Sequence, residues 1–173
     1  EFLQAPLVFS EKTSIPEGHY LFSNGGLSFA PGIQRELKLP TSIQYGQFFD
    51  GTNLQLQVSP EWNVNRHLTL DGSWRVNYLS FKKRNVSEWI YIPQLRINWA
   101  VNLHLSGSIT AQYNSLADRI FTNARLRYNF KDGHDLYIVY NQDYNSMRSS
   151  GLMPRPYYND RIFTLKYSYT FIR

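Results

Sequence analysis

The sequence contains no cysteine. That excludes disulfide scaffolds, thiolate metal sites and cysteine nucleophiles, and it leaves the redox compartment unread. Long apolar runs are absent too. The longest covers residues 136–140, against the roughly 20 residues a helix needs to cross a bilayer. Charged residues make up 18% of the 173, too few for a coiled coil. Residues 1–17 hold two prolines and no basic start, so they do not read as a signal peptide. On this reading the chain has either lost its leader or is a piece of a longer one. No glycine-rich phosphate loop, zinc motif or nucleophile elbow occurs.

What is present is aromatic and amide-rich. There are 13 Tyr, 11 Phe and 4 Trp, and 23 Asn plus Gln, so the composition is not that of a disordered chain. The length fits one domain with its own core. Helical periodicity is missing, and alternation with period two is widespread. In residues 160–172, Arg161, Phe163, Leu165, Tyr167, Tyr169 and Phe171 share one parity, while Ile162, Thr164, Lys166, Ser168 and Thr170 share the other. Successive strand side chains point to opposite faces, so this is a strand with one apolar face. The same pattern predicts ten strands: 2–10, 19–30, 35–48, 52–64, 67–80, 88–100, 102–115, 119–130, 134–145 and 160–172. Pro40, Pro60 and Pro93 each remove a ladder donor. Asp50-Gly51 suits a two-residue hairpin turn. Short connections at 31–34, 63–66, 100–102 and 131–133 alternate with longer ones at 10–18, 81–87 and 145–160, with 50–51 and 116–118 as short exceptions.

This pattern predicts an all-β, antiparallel, up-and-down transmembrane β-barrel of about ten strands, or the C-terminal arc of a larger one. Outer-membrane barrels place short turns at one rim, long loops at the other and aromatic girdles at both ends of the apolar stripe. In strand 88–100 the apolar parity runs Trp89, Tyr91, Pro93, Leu95, Ile97, Trp99. Ten residues span about 33 Å of strand, or roughly 23 Å of depth at a 45° tilt, near the ~25 Å apolar band. Trp89, Tyr91, Trp99, Tyr128, Tyr167 and Phe171 are the expected girdle. Leu95, Ile97, Leu126, Ile138 and Leu165 are expected to face hydrocarbon. A soluble sandwich or ligand-binding barrel is the rival, disfavoured by strands of 12–14 residues where 5–6 is the mode.

The formal charge is +5, but the only basic run, Lys82-Lys83-Arg84, falls in a predicted loop, so no nucleic-acid partner is expected. The triplet fits lipopolysaccharide head groups better. Arg96, Arg119, Arg125 and Arg127 face inward with Asp135 and Asp143 and are expected to form a polar lumen network. Glu61 and Asp71 share an inward face as salt-bridged structural groups. His67, His104 and His134 start alternate strands, too far apart for a shared metal, and no metal or cofactor is expected. Catalytic candidates would be His19 with a nearby Ser or Asp, or Asp143 with Asp160. Neither spacing is diagnostic, and no catalytic residue is assigned. The longest connection, 145–160, carries Arg148, Met153, Arg155, Tyr157 and Tyr158, the side chains best suited to contact a partner. If it instead plugs the barrel mouth, Tyr157 and Tyr158 lose their exposure.

Several stretches resemble a family of Bacteroidetes outer-membrane proteins with an N-terminal domain similar to family-nine carbohydrate-binding modules and a C-terminal barrel. The resemblance rests on residues 48–52 (FFDGT), 112–119 (QYNSLADR), 123–128 (NARLRY), 133–141 (GHDLYIVYN) and 165–171 (LKYSYTF), and covers residues 15–173. It implies the barrel portion of a longer chain and transfers no catalytic residue, although some members are labelled hydrolases. The resulting expectation is an integral outer-membrane segment that anchors a module or joins an envelope assembly linked to glycan binding or transport. Outer-membrane lipid and lipopolysaccharide are the expected partners, with other envelope proteins or glycans as further candidates. A membrane-embedded hydrolase is the alternative activity.

Overall fold

The computed structural model describes residues 2–10, 13–32, 35–148 and 154–170, with backbone only at Phe9 and Ser10. Its strands are β1 (Phe2–Leu3), β2 (Leu7–Ser10), β3 (Thr13–Ile15), β4 (Gly18–His19), β5 (Asn24–Phe29), β6 (Leu37–Lys38), β7 (Thr41–Phe48), β8 (Gly51–Val58), β9 (Glu61–Asn65), β10 (Leu68–Phe81), β11 (Val86–Ala100), β12 (Leu105–Asn114), β13 (Arg119–Lys131), β14 (His134–Asn145) and β15 (Tyr158–Tyr169). Among the described residues the one helical element is a 3-10 turn, Lys82–Arg84, and no helix is long and apolar enough to cross a membrane.

One antiparallel sheet dominates. Its strands follow chain order, β5-β7-β8-β10-β11-β12-β13-β14-β15, with β6 and β9 extending β7 and β8. These nine positions correspond to nine of the ten expected strands. The tenth, residues 2–10, does not join the sheet. It divides into β1, paired with β4, and β2, paired with β3. Pro6 interrupts the segment, and Leu7 and Val8 find partners in the adjacent β3. The sheet is open, with β5 and β15 at its two edges. A closed ten-strand barrel is therefore not what the described residues form.

The connections sort to two rims. Residues 30–32, 35–36, 66–67, 101–104 and 132–133 lie at one, here called the histidine rim after His67, His104 and His134. Residues 49–50, 82–85, 115–118, 146–148 and 154–157 lie at the other, the loop rim. The expected contrast in loop length rests mainly on 146–157. With nine strands, β5 and β15 run the same way, from loop rim to histidine rim.

The prolines act where expected, but differently from one another. Pro40 and Pro60 split β6 from β7 and β8 from β9. Each still offers its carbonyl: Ser59 N donates to Pro40 O at 2.8 Å and Gly72 N to Pro60 O at 2.7 Å. Gly72 is required there, because a Cβ would sit 2.7 Å from the Pro60 ring. A Lys38–Glu61 ion pair of 2.8 Å ties β6 to β9 beyond the break. Pro93 stays inside β11, and beyond it Ser115 N donates to Tyr91 O while the Ser115 hydroxyl accepts from Tyr91 N.

The turn between β7 and β8 is Phe49-Asp50, one residue earlier than Asp50-Gly51, and Gly51 pairs with Phe48 in the ladder. A Cβ at Gly51 would lie 2.6 Å from Phe81 Cδ1, so the glycine serves close packing. Phe49 takes the left-handed conformation (φ 52°) in its place, and its ring packs edge-on against Tyr20, Phe22 and Phe48, with centroids 5.0–5.3 Å away.

Among the described residues only Ile15, Leu79, Phe81 and Ile90 are buried hydrophobics. Leu79, Phe81 and Ile90 cluster with Phe48 and Ile92 at the loop rim. Their parity is that of the polar face, since Leu79 pairs with Asn53 and Glu88. The β2–β3 hairpin is fastened there: the Thr13 hydroxyl donates to Glu88 at 3.5 Å, and Arg84 donates to the Ser14 carbonyl while pairing with Asp50 at 2.6 Å.

Candidate functional site

Register assigns each residue a face. On one face Tyr45, Leu54, Tyr78 and Trp89 form a row near the loop rim, and Leu27, Ile43, Leu56, Val76 and Tyr91 form the next. Ile97, Ile109, Ala124 and Tyr140 continue across the sheet, as do Leu126, Ile138 and Leu165. The five side chains expected to meet hydrocarbon all lie on this face. Of the residues expected to form the girdle, Trp89 and Tyr91 lie at the loop-rim end and Trp99, Tyr128 and Tyr167 at the histidine-rim end. Phe171 and Met153 lie outside the described residues. Trp89 and Tyr91 stack with rings 7° apart, and the Trp99 indole lies across Gly107, where any Cβ would collide with it.

Nothing in the described residues covers this face. Leu27, Tyr45, Trp74, Trp89, Leu95, Tyr128, Phe163, Leu165 and Tyr167 are each 41–79% exposed. At about 150–250 Å² per large side chain, that leaves on the order of 1,000 Å² of apolar surface open. Monomeric soluble proteins rarely expose more than about 300–600 Å² in one patch. A hollow of about 430 Å³ opens on this face over Gly72 and Ala111, between Trp74 and Tyr113.

The opposite face is a hydrogen-bonded polar lattice. Arg119 grips Asp143 through both carboxylate oxygens. Arg127 pairs with Asp135 at 2.8 Å, and Asn129 donates to the same carboxylate at 3.1 Å. Two of the expected arginines behave differently. Arg125 lies over the Tyr137 ring at 4.7 Å, and Arg96 donates to Thr110 at 3.2 Å. Both are diagonal or cross-strand contacts that an ion-pair count does not foresee. Asp71 and Glu61 are register partners, yet each has its own donor, Asn98 at 2.7 Å and Lys38. Asp143 and Asp160 are also opposite one another, beside a hollow of about 320 Å³ lined by Thr110, Gln112, Phe121 and Asn123. Arg119 occupies both oxygens of Asp143. His19 stacks on Phe2 at 4.5 Å.

Two of the three rim histidines share a device the sequence reading missed. In Asn65-Arg66-His67 and Asn102-Leu103-His104, the Asn side chain accepts from the His backbone N–H at 2.8 Å. The His67 and His104 rings then reach the carbonyls of Ala100 at 2.7 Å and Asn129 at 3.0 Å. His134, after Asp132-Gly133, bonds the Tyr167 hydroxyl at 2.6 Å. The repeated Asn-x-His-Leu was the available signal. Among the described residues no three His, Asp or Glu come together as a metal site.

At the loop rim, Arg148 stacks on Tyr157 at 3.6 Å and donates to the Arg155 carbonyl at 3.1 Å. Arg155 donates to the Ala117 carbonyl at 3.3 Å. Tyr157 and Tyr158 are 53% and 45% exposed.

The chain matches no known protein family, no curated protein and no solved structure. The resemblance to the Bacteroidetes family has no counterpart among these comparisons.

Proposed function

We propose that the chain is an outer-membrane β-barrel segment, an arc of a larger barrel that anchors an attached module or joins an envelope assembly, as the resemblance to the Bacteroidetes family implies. The observation that carries this reading is the uncovered apolar face. Soluble domains bury such a face against a second layer, and here none is present among the described residues. Lipid would do the covering. The aromatic-aliphatic-aromatic banding from Trp89 to Trp99 supports it, as does the other face, whose amides, hydroxyls and ion pairs suit a hydrated interior.

An arc fits better than a closed barrel because the edge strands run in the same direction. In an alternating barrel β15 and β5 cannot be neighbours, so an odd number of further strands must stand between them. No observed constellation favours an enzyme or a soluble ligand-binding barrel. The test is to express the chain in a Gram-negative host and fractionate it. The expected result is outer-membrane recovery, resistance to carbonate extraction and solubility only in detergent. A monodisperse, detergent-free soluble chain would overturn the reading.

A further inference from the structure

We propose that the loop-rim end of β14 and β15 is a head-group site for a phosphorylated lipid, with Arg148 and Arg161 as the phosphate ligands; this rests on the membrane reading above. Arg161 stands over the Tyr158 ring at 3.8 Å, as Arg148 stands over Tyr157 at 3.6 Å. The two rings are 6.4 Å apart, and both lie within 6.4 Å of the Tyr144 ring. This is one cluster of three tyrosine rings carrying two guanidiniums.

Its position selects the ligand. Tyr144 pairs with Tyr158, and Arg161 pairs with Gln142, in the register of the apolar face. On β15 the same face continues as Phe163, Leu165 and Tyr167. A cation at the top of that stripe sits where hydrocarbon gives way to head groups, and acyl chains can lie along Phe163 and Leu165 below it. Neither guanidinium pairs with a carboxylate among the described residues. Asp143 and Asp160, the nearest acids in register, belong to the opposite face. Stacking on a ring orients a guanidinium; the Arg155 carbonyl takes Arg148 Nε, and the remaining planar N–H groups match a phosphate. A free anion would have no use for the apolar stripe beneath, so the site is assigned to a lipid.

The experiment uses the full chain in maltoside micelles, with bis-phosphorylated lipid A as probe, the same lipid dephosphorylated, and inorganic phosphate alone. Binding is read by native mass spectrometry and by the shift in unfolding temperature. Phosphorylated lipid A should remain bound and raise the unfolding temperature. The Arg148→Gln/Arg161→Gln double variant should bind it about tenfold more weakly, and Lys131→Gln, which removes a charge from the opposite rim, should bind normally. Both arginines are partly exposed, so the double variant should fold, which heat-modifiable migration checks. Equal binding of the dephosphorylated lipid, wild-type affinity in the double variant, or complete displacement by equimolar inorganic phosphate would each overturn the site. A wild-type chain that enters neither micelles nor vesicles would refute the membrane reading instead.

Discussion

Replacing Leu95 with Arg separates a lipid-facing sheet from a water-facing one by magnitude. Leu95 sits on β11 between Trp89 and Trp99, and its register partners are Gly72 and Ala111. These small neighbours leave it 51% exposed, so a longer side chain meets no steric obstacle. In water, such a surface change should move stability by no more than about 0.5 kcal/mol. In a bilayer, arginine near the midplane of a barrel's lipid face costs about 2–4 kcal/mol, or about 30- to 700-fold in the folded-to-unfolded ratio. The control is Ser108→Arg, opposite Asn98 and Arg125 on the polar face. There the cost is one like-charge cross-strand pair, about 0.2–1 kcal/mol. The assay is reversible urea unfolding of the chain folded into phosphatidylcholine vesicles. A Leu95→Arg cost under about 0.5 kcal/mol, or a Ser108→Arg cost as large as that of Leu95→Arg, would refute the assignment of faces.

Gly51→Ala should destabilise by about 1–3 kcal/mol, because the new methyl overlaps Phe81; denaturant midpoints check it, and a neutral result would mean the loop-rim cluster is looser than described. A double-mutant cycle on Arg119→Gln and Asp143→Asn should return a coupling on the order of 1 kcal/mol for this partly exposed pair. Removing residues 158–173 uncovers the β14 edge along its whole ladder, and heat-modifiable, protease-resistant assembly should be lost. Gly133→Ala places a side chain at φ +79° and 3.0 Å from the Thr170 carbonyl, so it should cost about 1 kcal/mol and show as a lowered unfolding temperature.

The strands were legible because alternation is a local property. Phe163, Leu165 and Tyr167 against Thr164, Lys166 and Ser168 place β15, expected at 160–172 and found at Tyr158–Tyr169, to within a few residues at either end. The same rule failed at residues 2–10, because periodicity says that a segment is extended without saying which strand it will pair with. The polar network was half legible. Arg119 and Arg127 found the aspartates on the next strand, whereas Arg125 turned to Tyr137, a diagonal neighbour. Trp89-Ile90-Tyr91-Ile92 is apolar on both parities, and that was an unread sign that the polar face is covered at the loop rim, where Ile90 joins Leu79 and Phe81.

The Asn-x-His turns bear on how such a sheet can change length. In both, the histidine ring fixes the turn to the strand that ends beside it, at Ala100 on β11 and at Asn129 on β13. Each turn is therefore aligned against the following hairpin and not against its own two strands. Slippage in one hairpin would break its contact to the next, so the register is shared from turn to turn. The unit that repeats along the sheet is a hairpin with its docked turn. A pair of strands bounded by such turns can be added or removed with every remaining residue keeping its face, because the step is always two strands and direction is conserved.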